Sequence, residues 1–241
     1  MDLFIFTFIG FIATFIGTLA GSGGLIGMPS LLMLGVPIHT AIASAKFSNI
    51  FSSFSSFLVL LKEKKITFAS AAKTAPFALG GGITGGLLAN TISEKTMTII
   101  AVILLCFALI LTIIKKPSEK EGAENTKDTY PYLYGIGVYD GMFGPGQGTL
   151  LMFLYLNRGF SYLKAMAFTR FQTFVSCSGS IFSYVAAGNF NISIAIFLAT
   201  GSIIGAQTAV RLANKISIRI LKMLLHTITV LLIIQLLIKI F

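Results

Sequence analysis

Charge and reactive side chains are scarce in this sequence. Of 241 residues, 11% are charged, tryptophan is absent, and histidine and cysteine occur twice each. His39 borders a helix start and His226 has no clustered ligand beside it, so no metal site is expected. Cys106 and Cys177 each lie inside an apolar run without a CxxC spacing; they read as small core residues and say nothing of redox compartment. The lack of a GxxxxGK[ST] loop argues against ATP-driven pumping by this chain, and Gly144-Pro-Gly-Gln-Gly148 lacks the strand context of a dinucleotide fold. Acids are few, eight in all, and seven of them (Asp2, Glu63, Glu94, Glu119, Glu121, Glu124 and Asp128) fall in loops or termini. With no Ser/His/Asp set and one acid inside an apolar segment, the chain is not expected to be an enzyme or to hold a cofactor.

What is present is apolar. Hydrophobic side chains make up 55% of the chain and mean hydropathy is +0.89, which leaves too little polar surface to cover a soluble globule. Uncharged stretches run from Leu3 to Ile38, Thr74 to Ser93, Thr96 to Ile114, Gly141 to Asn157, Phe171 to Val210 and Met223 to Ile238. Each is near or above the roughly 20 residues that cross a bilayer. The start reads as mature structure, because Asp2 replaces the basic region of a secretory signal and the segment recurs later. The net charge of +10 is read as loop cations that set topology, since no basic stretch is interleaved with aromatics as nucleic-acid binding would require.

A glycine-rich break followed by an isolated cation occurs twice. Ala41, Ala43, Phe47 and Ser52 match Ala165, Ala167, Phe171 and Ser176 at an offset of 124, which makes Lys46 and Arg170 equivalent. Gly17, Gly21 and Gly24 match Gly137, Gly141 and Gly144 at 120, and Gly82 and Gly86 parallel Gly201 and Gly205. Helices are expected over 3–20, 27–36, 39–61, 66–90 and 95–115, and again over 131–143, 148–157, 161–187, 190–211 and 216–240. The polar linker 116–130 divides a first membrane repeat, 1–115, from a second, 131–241.

If each glycine break turns the chain back, one side gathers Lys62, Lys64, Lys65, Lys115, Lys116, Lys120, Lys127, Arg158, Lys164, Arg211, Lys215, Arg219 and Lys222, against Lys95 and Lys239 on the other. The rich side is then cytoplasmic, linker included, with both termini outside. A hairpin plus three passes is an odd number of crossings, so the repeats are antiparallel, as in secondary transporters. The expected fold is an all-α polytopic membrane protein, built from two inverted repeats of one glycine-broken helical hairpin plus three transmembrane helices.

An interrupted helix is tolerated in lipid only where protein or an aqueous cavity satisfies its backbone, so each break is a candidate site. Helix N-termini and glycine-rich nests offer N–H groups to anions. This brings forward Gly21, Ser22, Gly23 and Gly24 at the first break and Gly144, Gly146, Gly148 and Thr149 at the second, with Pro29 suited to the first turn of the helix after its break. Lys46 with Asn49, and Arg170 with Thr173, begin polar stripes at helical spacing, continued by Ser56 and Ser180. Intramembrane cations normally face the bundle interior and mark a substrate pathway. The alternatives are that the glycines serve only close packing and that the cations snorkel to the interface. Asp140, alone among the acids in a membrane segment, is either a proton carrier or a buried partner for Lys46 or Arg170.

At these residues the chain resembles the sulfite exporter TauE/SafE family of membrane permeases. Gly137-Val-Tyr-Asp140-Gly141-Met-Phe-Gly144-Pro-Gly146-Gln-Gly148 is similar to its G-x-x-D-G-x-x-G-x-G-x-G signature, and Ala20-Gly-Ser-Gly-Gly24, Pro29-Ser-Leu-Leu and the Lys46 segment extend the likeness into the first half. Leu25-Ile26 and Ala45 depart from the family pattern. The resemblance implies secondary transport of sulfur-containing anions such as sulfite or organosulfonates across the cell (inner) membrane. Two cations and several backbone donors suit a small tetrahedral or pyramidal oxyanion. The expected partners are that anion and the lipid bilayer, with no nucleic acid and with a homo-oligomer left open. A passive anion channel, and a non-transporting scaffold or enzyme subunit, remain as other readings.

Overall fold

The structure, a computed structural model, describes residues 3–20, 23–114 and 129–213 and the separate positions 223, 227, 230, 231 and 234. Most of the expected last helix over 216–240 and of the linker, both termini, Gly21 and Ser22 lie outside the described residues. Ten helices follow one another among the described residues, and no strand. They are α1 (Phe4–Ala20), α2 (Gly24–Met33), α3 (Ile38–Lys62), α4 (Phe68–Ala72), α5 (Ala75–Asn90), α6 (Glu94–Ile114), α7 (Tyr130–Met142), α8 (Gln147–Leu156), α9 (Tyr162–Ala186) and α10 (Ile192–Leu212). The chain is all-helical, as its composition predicts.

Large apolar side chains stay on the outside. Phe4 and Phe182 are 79% and 75% exposed, and along α6 Ile99, Ile103, Phe107, Ile110 and Ile113 form one exposed stripe while Met97, Ala101, Leu105 and Ala108 are buried. Both faces of α6 are therefore apolar, which suits a helix with protein on one side and lipid on the other. Among the described helices, α10 alone is both long and apolar enough to cross a bilayer by length and composition. The 25-residue helices α3 and α9 are long enough, but each carries two cations and many hydroxyls. Their polar residues face inward: Ser52, Ser53, Ser56, Ser176 and Ser180 are all buried.

The two halves interlock. α1 packs on α10 and α7 on α5, so each half's first helix lies against a helix of the other half; α5 packs on α9, α10 on α3, and α3 on α9. Glycines set the closest of these approaches. A Cβ on Gly201 would meet Thr7 O and one on Gly205 would meet Phe11 O; on the other side, Gly81 faces Tyr134 O and Gly85 faces Val138 O. Without side chains at these positions the backbones come into direct contact, the device of membrane helix pairs.

These contacts correct the internal register. Gly201 and Gly205 correspond to Gly81 and Gly85, not to Gly82 and Gly86, and Thr7, Gly10 and Phe11 correspond to Tyr134, Gly137 and Val138, an offset of 127. The glycine match at 120 fails because glycines recur on several faces of these helices, and only packing decides which face meets the partner. The offset of 124 for α3 and α9 stands, with both helices 25 residues long. Their ends repeat too, since Gly35 and Gly159, and Lys64 and Gly188, all take positive φ.

Two further expectations are revised. The segment 66–90 is not one helix, because Lys73 and Thr74 separate α4 from α5 and Pro76 lies in the first turn of α5. Gln172 on α9 donates to Thr74 Oγ1 at this break. Helix α2 begins at Gly24, where Gly23 O accepts from Ile26 and Gly27 N–H. Pro29 therefore sits in its interior rather than its first turn.

Gly201→Val should force α1 off α10 and lower stability by about 1–3 kcal/mol, the usual range for overpacking. Gly135→Ala, where an added Cβ meets nothing within 4 Å, should not lower the melting temperature of the detergent-purified protein, alanine being the better helix former.

Candidate functional site

The two glycine breaks meet at the centre. A Cβ on Gly24 would lie 2.8 Å from Pro145 Cα, so the start of α2 touches the loop between α7 and α8. That loop depends on two glycines with left-handed backbone. Gly144 has φ 106° and Gly146, the residue before α8, has φ 87°. A Cβ on Gly144 would also fall 2.7 Å from Lys46 Nζ, so a larger residue there is excluded by conformation and by space. Tyr139 O–H donates to Pro145 O, and Tyr184 O–H donates to Gly141 O at 3.0 Å and Met142 O at 3.2 Å. Tyr162 O–H does the same for Leu19 O near the end of α1, at 2.6 Å. These phenols supply partners for carbonyls that the interrupted helices leave unpaired.

Lys46 comes from α3 and is 2% exposed. Its Nζ donates to Asp140 Oδ1 at 2.7 Å and to Asp140 O. The other carboxylate oxygen, Oδ2, accepts from Ser176 O–H and from Cys177 S–H at 3.5 Å. Every recorded contact on the Asp140 side chain is with a donor, the environment of an ionised carboxylate. Asp140 is thus the buried partner of Lys46.

Arg170, on α9, is equivalent in sequence to Lys46 but has no such partner. It is 8% exposed, its Nε donates to Ser56 Oγ at 2.8 Å, and its buried Nη2 has no hydrogen-bond partner. The internal register explains the difference. The offset of 127 that maps α1 onto α7 puts Ala13 where the second half has Asp140, so the duplication supplies two cations and one acid. Neither cation reaches the interface, which sets aside the snorkelling alternative.

A cavity of about 100 Å³ lies between the breaks, α3 and α9. Its wall includes Gly23, Gly24, Lys46, Asn49, Asp140, Gly144, Gly146, Gly148, Arg170 and Thr173, so the structure brings together every described candidate except Thr149. Helix α8 starts at Gln147, which makes Thr149 its third residue rather than its opening one, away from the cavity wall. Other wall residues went unselected in the sequence. Gln147 Oε1 accepts from Thr173 O–H at 3.0 Å, Ser48 O–H donates to Ser202 Oγ at 2.6 Å, and Thr18 and Thr169 have buried hydroxyls with no partner. Gln147 was visible inside the glycine signature; the threonines had no spacing to mark them. Two unpartnered hydroxyls, one unpartnered guanidinium nitrogen and two helix N-termini therefore border one small space. That arrangement can hold an oxyanion, and the volume is below the about 300–1,000 Å³ of pockets for drug-sized ligands.

The model of the family described as sulfite exporter TauE/SafE matches residues 6–236. The chain is 30% identical to a probable membrane transporter protein, ORF9, of a Sinorhizobium species, over 94% of this chain and 89% of that protein. It is 29% identical to a probable membrane transporter protein of Haemophilus influenzae, over 85% and 82%. It is 24% identical to the probable membrane transporter protein YunE of Bacillus subtilis, over 96% of each. No solved structure matches.

Removing one member of a buried ion pair strands the other. Lys46→Met should destabilise the protein by about 3–5 kcal/mol, and adding Asp140→Asn should restore most of the loss, read by thermal unfolding in detergent.

Proposed function

The chain belongs to the sulfite exporter TauE/SafE family of membrane transporters, and from that premise we propose that it is a secondary permease for small sulfur-containing oxyanions such as sulfite or organosulfonates. The observation that carries this reading is Arg170, a buried cation with an unpartnered Nη2 and no acid against it, on the wall of a cavity the size of a small anion. An isolated buried charge is costly unless something compensates it, and a transported anion does so only while bound. Thr18, Thr169, Thr173, Gln147 and the glycine-lined starts of α2 and α8 supply further polar contacts.

In this reading the repeats, 1–115 and 131–241 joined by the linker 116–130, are inverted with respect to each other. The linker is cytoplasmic, both termini are extracytoplasmic, and the protein resides in the cell (inner) membrane. Exchange of helices between the halves supports a site shared by both and exposed to each side in turn. Asp140 couples anion movement to protons. When it carries a proton, Lys46 is released from its carboxylate and adds its charge to the cavity; when it is ionised, Lys46 is held back. The site contains no resident metal or cofactor in this mechanism, and no catalytic step is assigned to it.

Uptake of labelled sulfite, sulfate and small sulfonates into proteoliposomes, with and without a pH gradient, tests the reading. Arg170→Ala and Lys46→Ala should each abolish flux while the protein remains in the membrane, and Asp140→Asn should remove the response to the pH gradient. Full flux in both cation variants would sink the anion site; sulfite and sulfate flux that ignores the gradient in the unaltered protein would indicate a passive channel.

A further inference from the structure

We infer that the cavity accepts one net negative charge, and that Asp140 sets this limit. The inference rests on the permease reading and adds which anions it admits. The charged groups in the described wall are Lys46 from α3, Asp140 from α7 and Arg170 from α9. Lys46 and Asp140 cancel through their 2.7 Å contact, and Arg170 has no counter-ion among the described residues, which leaves a single positive charge. The other groups against Asp140 are uncharged donors, Ser176 and Cys177 of α9, with the phenols of Tyr139 and Tyr184 bonded to backbone carbonyls nearby. Where α5 packs on α7 it presents Gly81, Gly82 and Gly85, which bring no charge.

A monoanion is matched by Arg170 alone. A dianion leaves one negative charge uncompensated beside the Asp140 carboxylate, in a place where like charges interact strongly. It is admitted only if a proton neutralises Asp140 and frees Lys46 to face it. The net charge carried, anion plus any proton, is one negative in both cases. Selectivity therefore comes from a repulsive group inside the site as much as from attraction to Arg170.

Methanesulfonate and sulfate test this, being tetrahedral sulfur oxyanions of similar size that are respectively mono- and dianionic near neutral pH. In competition for uptake at equal pH on both sides, the unaltered protein should favour methanesulfonate at least about tenfold. Asp140→Asn, which raises the site to two positive charges, should move the ratio toward sulfate by at least about tenfold, equivalent to about 1.4 kcal/mol. The double variant Lys46→Gln with Asp140→Asn returns the site to one positive charge and should bring the ratio back to within about threefold of the original.

The unaltered protein provides a measurement that does not depend on any variant folding. Charge moved per anion, read on supported membranes against labelled flux, should be one for methanesulfonate and one for any sulfate carried, with one proton per sulfate. Sulfate flux at two charges per anion, or a ratio unmoved by Asp140→Asn, overturns the charge limit while leaving an anion permease in place. If neither these anions nor sulfite enter through the reconstituted protein, the permease reading itself fails.

Discussion

The arrangement depends on an imbalance of buried charge. Two cations from equivalent helices are carried into the centre of an apolar bundle, and one acid is there to meet them. Lys46 is neutralised by Asp140 within 2.7 Å, while Arg170 is held by a serine hydroxyl and keeps a buried nitrogen unpartnered. A buried, unmatched guanidinium is costly in the absence of a ligand, and that cost is what the proposed anion would offset. Around it the helix starts at Gly24 and Gln147 add partial positive charge, and the ends of α1 and α7, whose carbonyls would repel an anion, have hydroxyl partners from Tyr162 and Tyr184.

The internal duplication expected from the sequence would account for both the likeness and the difference. Each half places its broken hairpin against a helix of the other, through backbone contacts that only glycine allows. Because the halves interlock, the cavity is bordered by both and belongs to neither. Two diverged copies can place different residues at equivalent points, as at Ala13 and Asp140. A strictly symmetric pocket would have paired both cations or neither.

Much of the site was legible in the sequence for a physical reason. Charge and glycine are so costly in a membrane segment that Lys46, Arg170, Asp140 and the glycine breaks stand out against an apolar background. The residues that went unselected, Thr18, Thr169 and Ser202, are hydroxyls that a membrane helix can equally turn back onto its own carbonyls. Their spacing alone does not separate lining from self-satisfied. The break at Lys73 and Thr74 was passed over because Pro76 inside a long apolar run fits both a continuous and an interrupted helix.

Sequence alone determined the class of the protein: an all-helical chain with an apolar exterior, two isolated cations inside apolar segments and a glycine signature that resembles the family's. Composition and period suffice for that, since they govern burial and helix formation locally. Which acid meets which cation, and that α1 corresponds to α7 at 127 rather than 120, were decided only by tertiary packing. Those outcomes depend on which glycine face meets which backbone across more than a hundred residues, and a pattern of glycines on several faces is compatible with more than one register until the helices are in contact.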